Sequence, residues 1–313
     1  MMEIVLLDTA TLGDVLVEKC LKDCGTITTY DHTSPEQTVE RIGNARIIIT
    51  NKVAIGTKEL EQAPSLELIC IAATGMDHVD VAAAEKKGIA VKNVKGYSTS
   101  SVAQHTYAMM FYLLGSLPYY DDYVKSGKYA NESIFTHHGK PFSELSSCTI
   151  GIIGMGAIGR QVAAIATVFG ARVIYHSTSG KNTDQPYELV DLDTLCEQSD
   201  VISIHAPLNA QTRNLITAET FHKMKRTVVL LNTGRGGIIN EKDLAEALDK
   251  ELIGAAGIDV LEKEPIEADH PLLKVKNKER LLLTPHIAWA GRQSRERLME
   301  GVRNNILEFI RHQ

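Results

Sequence analysis

The sequence has no apolar run close to the roughly 18 residues that a membrane-spanning helix needs, and its longest apolar stretches are short ones near residues 107–114 and 150–159. It also has no long block of like charges. Its 33 basic and 39 acidic residues give a net charge of −6, which argues weakly against a nucleic-acid-binding surface. Low-complexity tracts and internal repeats are not apparent, so the composition is that of an ordinary globular protein.

Cysteine is scarce, and its spacing indicates neither a disulfide framework nor a zinc site. The five cysteines are odd in number and scattered, with no C-x-x-C pair. Residues 1–8 (M-M-E-I-V-L-L-D) lack the basic region and cleavage site of a signal peptide and are typical of a buried strand. We therefore expect a cytoplasmic protein with reduced thiols, no bound metal and no membrane partner.

The length of 313 residues predicts two domains, and 44% hydrophobic residues suffice for a core in each. Short apolar strands alternate with amphipathic segments, which is typical of a parallel sheet covered by helices. In the first third, helices are predicted over Leu12–Cys24 and Pro35–Ile42. The strands predicted there are Ile4–Leu7, Ile27–Tyr30, Arg46–Thr50, Leu68–Ala72 and Ile89–Val91.

A polar, turn-rich stretch at residues 93–101 indicates a domain boundary. A helix follows it, and we expect Pro118 to end that helix. About six strands then form a second set, the number expected of a doubly wound dinucleotide-binding domain. These strands are Thr149–Ile153, Arg172–Tyr175, Val201–Ile204, Thr227–Leu231, Gly254–Ile258 and Leu281–Leu283. A last amphipathic helix, Arg292–Ile310, is expected to pack back on the first domain.

A glycine-rich loop follows the strand Thr149–Ile153. Gly154, Gly156 and Gly159 form G-x-G-x-x-G between that strand and a helix that ends at Gly170. The first glycine permits a tight turn, the second lets a pyrophosphate approach the backbone, and the third lets the helix pack on the strand. The loop therefore predicts a dinucleotide cofactor.

The second strand of this unit lacks the acid that usually selects NAD by binding the ribose 2′-hydroxyl. The chain reads Y-H-S-T-S-G-K at residues 175–181, and no acid appears before Asp184. His176, the hydroxyls or Lys181 are candidates to meet a 2′-phosphate. We therefore predict NAD as the cofactor and leave NADP open.

Three charged residues follow three predicted strands of the second domain. Arg235 comes after Thr227–Leu231, Glu264 after Gly254–Ile258, and His286 after Leu281–Leu283. Ligands of open parallel sheets bind outside the carboxyl ends of the strands, so we expect all three side chains at the edge that carries the glycine loop.

Their chemistry suits a dehydrogenase that transfers a hydride. Reduction of a ketone needs a proton donor, and histidine titrates near pH 6.5 when unperturbed. A carboxylate beside it orients the ring and stabilises its protonated form, whereas arginine's fork binds a 2-keto carboxylate. On composition alone, Glu262 competes with Glu264 for the role of that carboxylate.

At these residues the chain resembles the D-isomer-specific 2-hydroxyacid dehydrogenase family over nearly its whole length. The matching segments are A-T-G-M-D-H-V-D (73–80), S-V-A-Q-H-T (101–106), the glycine loop, H-A-P-L (205–208), N-T-G-R-G (232–236) and T-P-H (284–286). The resemblance implies a flavodoxin-like substrate domain built from residues 1–100 and 286–313. A Rossmann domain at residues 101–285 interrupts it, with the active site in the cleft and usually a homodimer.

The resemblance also implies roles for individual residues. His286 becomes the acid–base, Glu264 its partner and Arg235 the substrate clamp, and the Glu-Pro match is what favours Glu264 over Glu262. Backbone amides of Thr74 and Gly75 would hold the substrate carboxylate. The cofactor would be lined by Thr106, Ala157, Ile158, Ala206, Pro207, Thr233, Gly234 and Asp259, with Asp259 near the nicotinamide carboxamide.

Within the family, V-A-Q-H-T (102–106) and H-I-A-W-A (286–290) are most similar to glycerate dehydrogenases, also called hydroxypyruvate reductases. We expect a small 2-keto acid as substrate, with hydroxypyruvate and glyoxylate as candidates. Two alternatives stay open. One is a dinucleotide-sensing, corepressor-like binding protein on the same fold, although the chain lacks long interaction tails. The other is a phosphite-type dehydrogenase, which uses the same three residues.

Overall fold

A computed structural model describes residues 2–312 and divides the chain into two compact units. Unit 1 is formed by the described residues of Met1–Ser98 and Trp289–Gln313, and unit 2 is Thr99–Ala288. Unit 2 thus lies between the two segments of unit 1 along the chain. No helix within residues 2–312 is long and apolar enough to cross a membrane.

Unit 1 contains a five-stranded parallel sheet in the order β2-β1-β3-β4-β5, which is the flavodoxin-like order. The strands are β1 (Glu3–Leu6), β2 (Thr26–Thr29), β3 (Ile47–Thr50), β4 (Leu68–Ile71) and β5 (Ala90–Asn93). The helices are α1 (Val17–Leu21), α2 (Thr38–Ile42), α3 (Thr57–Glu61) and α4 (Val81–Lys86). Every residue of β3 and β4 is buried, because helices cover both faces of the sheet.

The predicted helix over Leu12–Cys24 is wrong in its extent. The segment Thr9–Leu12 forms a 3₁₀ turn, Gly13 has a positive φ of 66°, and only Val17–Leu21 is α-helical. Gly13 breaks the helical pattern because it takes a left-handed conformation that continues no helix.

Unit 2 contains a seven-stranded parallel sheet in the order β12-β11-β10-β9-β6-β7-β8. The strands are β6 (Thr149–Ile153), β7 (Arg172–His176), β8 (Glu188–Leu189), β9 (Val201–Ile204), β10 (Val229–Asn232), β11 (Ala255–Ile258) and β12 (Leu281–Leu283). The helices are α5 (Thr99–Leu114), α6 (Leu117–Lys125), α7 (Ala157–Val168), α8 (Leu192–Gln198), α9 (Ala218–Lys223) and α10 (Glu241–Asp249). The chain reverses its direction of sheet growth between β6 and β9, and this switch point is where doubly wound sheets bind nucleotides.

Two expectations about unit 2 need correction. Pro118 does not end the helix that precedes it. Helix α5 already ends at Leu114, and Pro118 stands in the first turn of α6, where its missing N–H is tolerated. The sheet also has one strand more than the six predicted. The additional strand, β8, pairs with β7, and it was not predicted because it is only two exposed residues long.

The C-terminal helix α11 (Arg292–Arg311) belongs to unit 1. Its buried residues Leu298, Met299, Val302 and Ile306 pack into the core formed by β1, β3 and β4. The prediction that this helix packs back on the first domain is therefore confirmed.

Candidate active site

The three charged segments lie side by side because they follow three neighbouring strands. Strands β10, β11 and β12 are adjacent and parallel, so their carboxyl ends meet at one edge of the sheet. Hydrogen bonds between backbone groups connect the loops. Asp259 N–H donates to Asn232 O at 3.0 Å, and His286 N–H donates to Asp259 O at 2.8 Å.

His286 and Glu264 form a close pair at this edge. Nδ1 of His286 lies 2.7 Å from Oε2 of Glu264, and the side chains are 22% and 32% exposed. The other carboxylate oxygen of Glu264 accepts the backbone N–H of Leu261 at 3.0 Å, which fixes the carboxylate on its own loop. Because Nδ1–H donates to Glu264, Nε2 is the ring nitrogen left for proton transfer.

The structure separates the two glutamates that composition left open. Oε1 of Glu262 lies 2.8 Å from Nη1 of Arg213, and both side chains are more than half exposed. Glu264 is the one paired with His286. The two carboxylates lie two residues apart on one loop and have different partners, Arg213 and His286.

Arg235 lies on the loop after β10, which is held by the side chain of Asn232. Asn232 Nδ2 donates to Arg235 O at 2.9 Å, while its Oδ1 accepts the N–H of Gly234 at 3.0 Å. The guanidinium donates to Gly234 O at 2.9 Å and is half-buried. Gly236 is required here because a Cβ would lie 2.0 Å from the backbone of Leu261, so this loop touches the loop of Glu264.

The His286 segment is held in an uncommon conformation. His286 has a φ of 55°, in the left-handed region, which costs a non-glycine residue roughly 1–3 kcal/mol. The carboxylate of Asp259, which is 1% exposed, compensates by accepting three hydrogen bonds from the segment. The donors are Thr284 Oγ1 at 2.6 Å, Ile287 N at 2.9 Å and Ala288 N at 2.9 Å.

The glycine loop has the geometry of a pyrophosphate cradle. Gly154 has a φ of 93°, and a Cβ there would lie 2.7 Å from the backbone of Ala206. At Gly159 a Cβ would lie 2.3 Å from Gly154 O, whereas at Gly156 it would meet nothing within 4 Å. The backbone at Gly156 is thus open to a close ligand, and it caps α7, a 12-residue helix whose N-terminus favours an anion. The residues present therefore fit the dinucleotide that the motif predicted.

The end of β7 confirms the unusual feature read from the sequence. The last residue of the strand is His176, whose Nδ1 lies 3.2 Å from Val190 O. A histidine therefore stands where NAD-selective sheets usually carry a carboxylate.

The other cofactor candidates lie in unit 2 as well. Ala157 and Ile158 form the first turn of α7, and Ala206 and Pro207 follow β9. Thr106 on α5 lies 3.2 Å from Thr233, the residue after β10, through their hydroxyls. Behind them the ring of His205 lies 2.8 Å from Ser203 Oγ, and desolvation lowers the pKa of His205 to about 3, so this ring is neutral.

In unit 1, Thr74 and Gly75 follow β4. The Thr74 hydroxyl donates to Val94 O at 3.0 Å, and Asn93 Nδ2 donates to Thr74 O at 2.6 Å, so both sides of Thr74 are fixed to the end of β5. Four residues on, burial lowers the pKa of His78 to about 4. The segment thus offers main-chain groups at Thr74 and a neutral ring at His78.

Three residues around these edges were missed in the sequence. His105 on α5 contacts the His286 segment, His270 pairs with Glu241 at 2.8 Å, and Asp8 holds a loop of unit 1. The motif around residues 102–106 contained His105 without indicating its contact. No short-range pattern distinguishes the His270–Glu241 pair from the His286–Glu264 pair, because both are made by residues distant in sequence.

The chain is similar to known proteins in sequence and in fold. The protein-family model described as D-isomer specific 2-hydroxyacid dehydrogenase, NAD binding domain, matches residues 107–288. Hydroxypyruvate reductase of Blautia hydrogenotrophica is 38% identical over 99% of this chain and 97% of its own length. Glycerate dehydrogenase of Methylorubrum extorquens is 38% identical over 90% of this chain and 88% of its own. The crystal structure of D-lactate dehydrogenase from Aquifex aeolicus, complexed with NAD and lactic acid, matches with a TM-score of 0.85 at 28% identity, covering 99% of this chain and 96% of that one.

Proposed function

The chain belongs to the D-isomer-specific 2-hydroxyacid dehydrogenase family, and from this premise we propose that it reduces a small 2-keto acid, hydroxypyruvate or glyoxylate, to the 2-hydroxy acid. The observation that carries the proposal is the pair of His286 and Glu264 at 2.7 Å, at the sheet edge that also holds the glycine loop. An imidazole fixed by a carboxylate is a suitable general acid for ketone reduction.

In this proposal, a bound nicotinamide nucleotide supplies the hydride for reduction and takes it up in the reverse direction. Nε2 of His286 donates a proton to the carbonyl oxygen as negative charge develops there. Glu264 accepts a hydrogen bond from Nδ1–H and keeps the ring oriented throughout the reaction. In the oxidation of a 2-hydroxy acid, the same Nε2 accepts the hydroxyl proton.

Recognition of the substrate carboxylate is assigned to Arg235 and to unit 1. The guanidinium of Arg235 can form two parallel hydrogen bonds to a carboxylate, or share its donors with the ketone oxygen. We assign unit 1 the role of substrate domain, in which the backbone amides of Thr74 and Gly75 bind a substrate carboxylate. The loop at β4 suits that role because its polar groups are fixed to β5.

For the cofactor, we propose NAD with weak discrimination against NADP. The pyrophosphate would lie over Gly156 and the N-terminus of α7, and the nicotinamide end would lie toward Thr233 and Asp259. His176 ends β7 without a negative charge that would repel a 2′-phosphate.

We also propose a cytoplasmic homodimer. The five cysteines are free thiols, which suits a reducing compartment. An apolar face of unit 2 is exposed where α5 and α7 pack together, and it includes Phe111, Phe169 and Val168, which is 88% exposed. Exposed apolar surface of this kind is typical of an interface, and sedimentation of the wild type against Val168→Glu tests the assignment. The dimer predicts dissociation in the variant.

The test of the proposed activity is a comparison of substrates and cofactors. NADH and NADPH oxidation should be measured with hydroxypyruvate, glyoxylate, pyruvate and branched 2-keto acids, with phosphite and NAD as a further arm. We expect turnover of a small 2-keto acid, with Arg235→Lys lowering kcat/KM by about 10- to 100-fold through loss of two-point binding. Turnover of phosphite alone, or of none of these compounds, would contradict the proposal.

A further inference from the structure

His105 contacts the segment that carries His286. The residue lies on α5, and its side chain is 21% exposed. Its Nε2 is 3.2 Å from Thr284 Oγ1 and 3.7 Å from Asp259 Oδ1. These contacts lie within unit 2, between a helix and the loops after β11 and β12.

The direction of the hydrogen bonds follows from counting hydrogens. The hydroxyl of Thr284 has one hydrogen, and its oxygen lies 2.6 Å from Asp259 Oδ1. A carboxylate oxygen accepts, so that hydrogen belongs to the bond with Asp259. Thr284 Oγ1 must then accept from His105, which places a hydrogen on Nε2 of that ring. The bonds run in one direction, from His105 through Thr284 to Asp259.

Asp259, the last residue in this series of hydrogen bonds, holds the backbone of His286 and of the two residues after it. Asp259 accepts the N–H groups of Ile287 and Ala288, and its carbonyl accepts the N–H of His286. His286 itself has a φ of 55°, which surrounding bonds must enforce because an L-residue rarely adopts it. The loss of the donor from His105 would leave the Thr284 oxygen with its bond to Asp259 but without the second hydrogen bond, the one that it accepts.

We propose that His105 is a positioning residue for the proton donor, acting through Thr284 and Asp259 on the backbone of His286. This inference rests on the proposed function, which makes His286 the donor. The hydroxyl of the adjacent Thr106 lies 3.2 Å from the hydroxyl of Thr233, which is on the loop that carries Arg235. One turn of α5 therefore holds both segments that carry the reacting groups.

The test compares three variants on the same helix. His105→Leu removes the donor at similar volume, His105→Gln restores an N–H donor, and the exposed Gln104→Leu controls for an added leucine. We measure kcat, KM for the 2-keto acid and for NADH, and amide hydrogen exchange of peptides covering residues 284–288. Hydrogen exchange does not depend on any activity.

We expect His105→Leu to lower kcat about tenfold, the equivalent of one hydrogen bond, with KM for NADH changed less than about twofold. Exchange at Ile287 and Ala288 should rise about tenfold in this variant. His105→Gln should return both quantities to within about threefold of wild type, and Gln104→Leu should change neither.

The other possible results contradict either the role of His105 or the proposed function, and the two cases can be told apart. Wild-type kcat and wild-type exchange in His105→Leu overturn the inference. A lower kcat or melting temperature with unchanged exchange at residues 284–288 overturns it too, since the residue would then act elsewhere. If no variant and no wild-type sample turns over a 2-keto acid, the proposed function fails, while exchange still reports on the loop. If His105→Leu does not fold, Thr284→Val must show the same faster exchange.

Discussion

The two units end their parallel strands on loops of similar construction but different chemistry. In unit 1, the buried Asp8 accepts the backbone N–H groups of residues 51–53 at 2.6–3.3 Å. In unit 2, the buried Asp259 accepts two backbone N–H groups and a hydroxyl from residues 284–288. Only the second loop carries a histidine, His286, with a carboxylate beside it. A buried aspartate therefore organises a loop in both units, and the residues placed on that loop determine whether it can do chemistry.

The largest effect that we expect from this comparison is on stability. Asp8→Ala would leave buried amides at residues 51–53 without an acceptor, at roughly 1–3 kcal/mol for each, partly offset because burial already disfavours the ionised carboxylate and raises the pKa of Asp8. The free energy of unfolding should fall by about 3 kcal/mol in urea titrations. Asp23→Ala removes an exposed ion pair with Arg303 and should cost less than about 1 kcal/mol. Equal losses in the two variants would mean that Asp8 does not organise its loop.

A second prediction contrasts the two glutamates of one loop in unit 2. Glu264→Gln removes the carboxylate that orients His286, so kcat should fall by about 10²-fold, the lower end of general-acid contributions. Glu262→Gln removes an exposed partner of Arg213, and kcat should stay within about threefold of wild type. Steady-state kinetics with the preferred 2-keto acid check both. Similar losses would show that the difference in partners has no functional weight.

A third prediction concerns acid stability. The pKa of His205 is lowered to about 3 and that of His78 to about 4, whereas unfolded histidine titrates near 6.5. Below pH 6.5 the unfolded chain therefore binds protons that the folded chain does not, and stability falls as the pH falls toward 4. Each ring contributes up to about 1.4 kcal/mol per pH unit.

Urea titrations between pH 6.5 and 4 check this dependence. His205→Gln should flatten the decline by about 1.4 kcal/mol per pH unit, and His78→Gln should do the same in unit 1. The exposed His222→Gln serves as the control. An unchanged slope in the His205 variant would show that its ring is not kept neutral.

The smallest effect that we predict is on cofactor choice. His176→Asp places a carboxylate at the end of β7, where it can accept from the ribose hydroxyls and repel a 2′-phosphate. The ratio of kcat/KM for NADH to that for NADPH should rise about tenfold. His222→Asp, which adds the same charge at an exposed position of α9, provides the control. No change in the ratio would place the adenosine ribose away from β7.

The family, the α/β fold of two parallel sheets and the NAD-binding domain are confirmed, because these depend on local patterns. Strands such as Val201–Ile204 and Leu281–Leu283 are short apolar runs bounded by polar residues, and their bounds agree with the prediction. The G-x-G-x-x-G loop lies between a strand and a helix as expected, since each glycine answers a local steric demand.

Other features were not predicted from the sequence. The helix predicted through Gly13 is broken, and β8 is too short and too exposed to show a pattern. Asp259 was assigned to the cofactor by resemblance, and the structure shows that its oxygens hold the His286 loop. The contact of His105 with Thr284 joins residues 179 positions apart, so no spacing rule could reveal it.

We assign the acid–base role to the pair of His286 and Glu264. The chain contains a second such pair, because His270 Nε2 lies 2.8 Å from Glu241 Oε2 with side chains only 10% and 12% exposed. We would measure kcat and NADH affinity for His286→Ala and His270→Ala side by side. This role of His286 predicts a kcat loss of about 10²- to 10⁴-fold for His286→Ala at unchanged NADH affinity, and a lower melting temperature with nearly normal kcat for His270→Ala. Undiminished kcat in His286→Ala would contradict it.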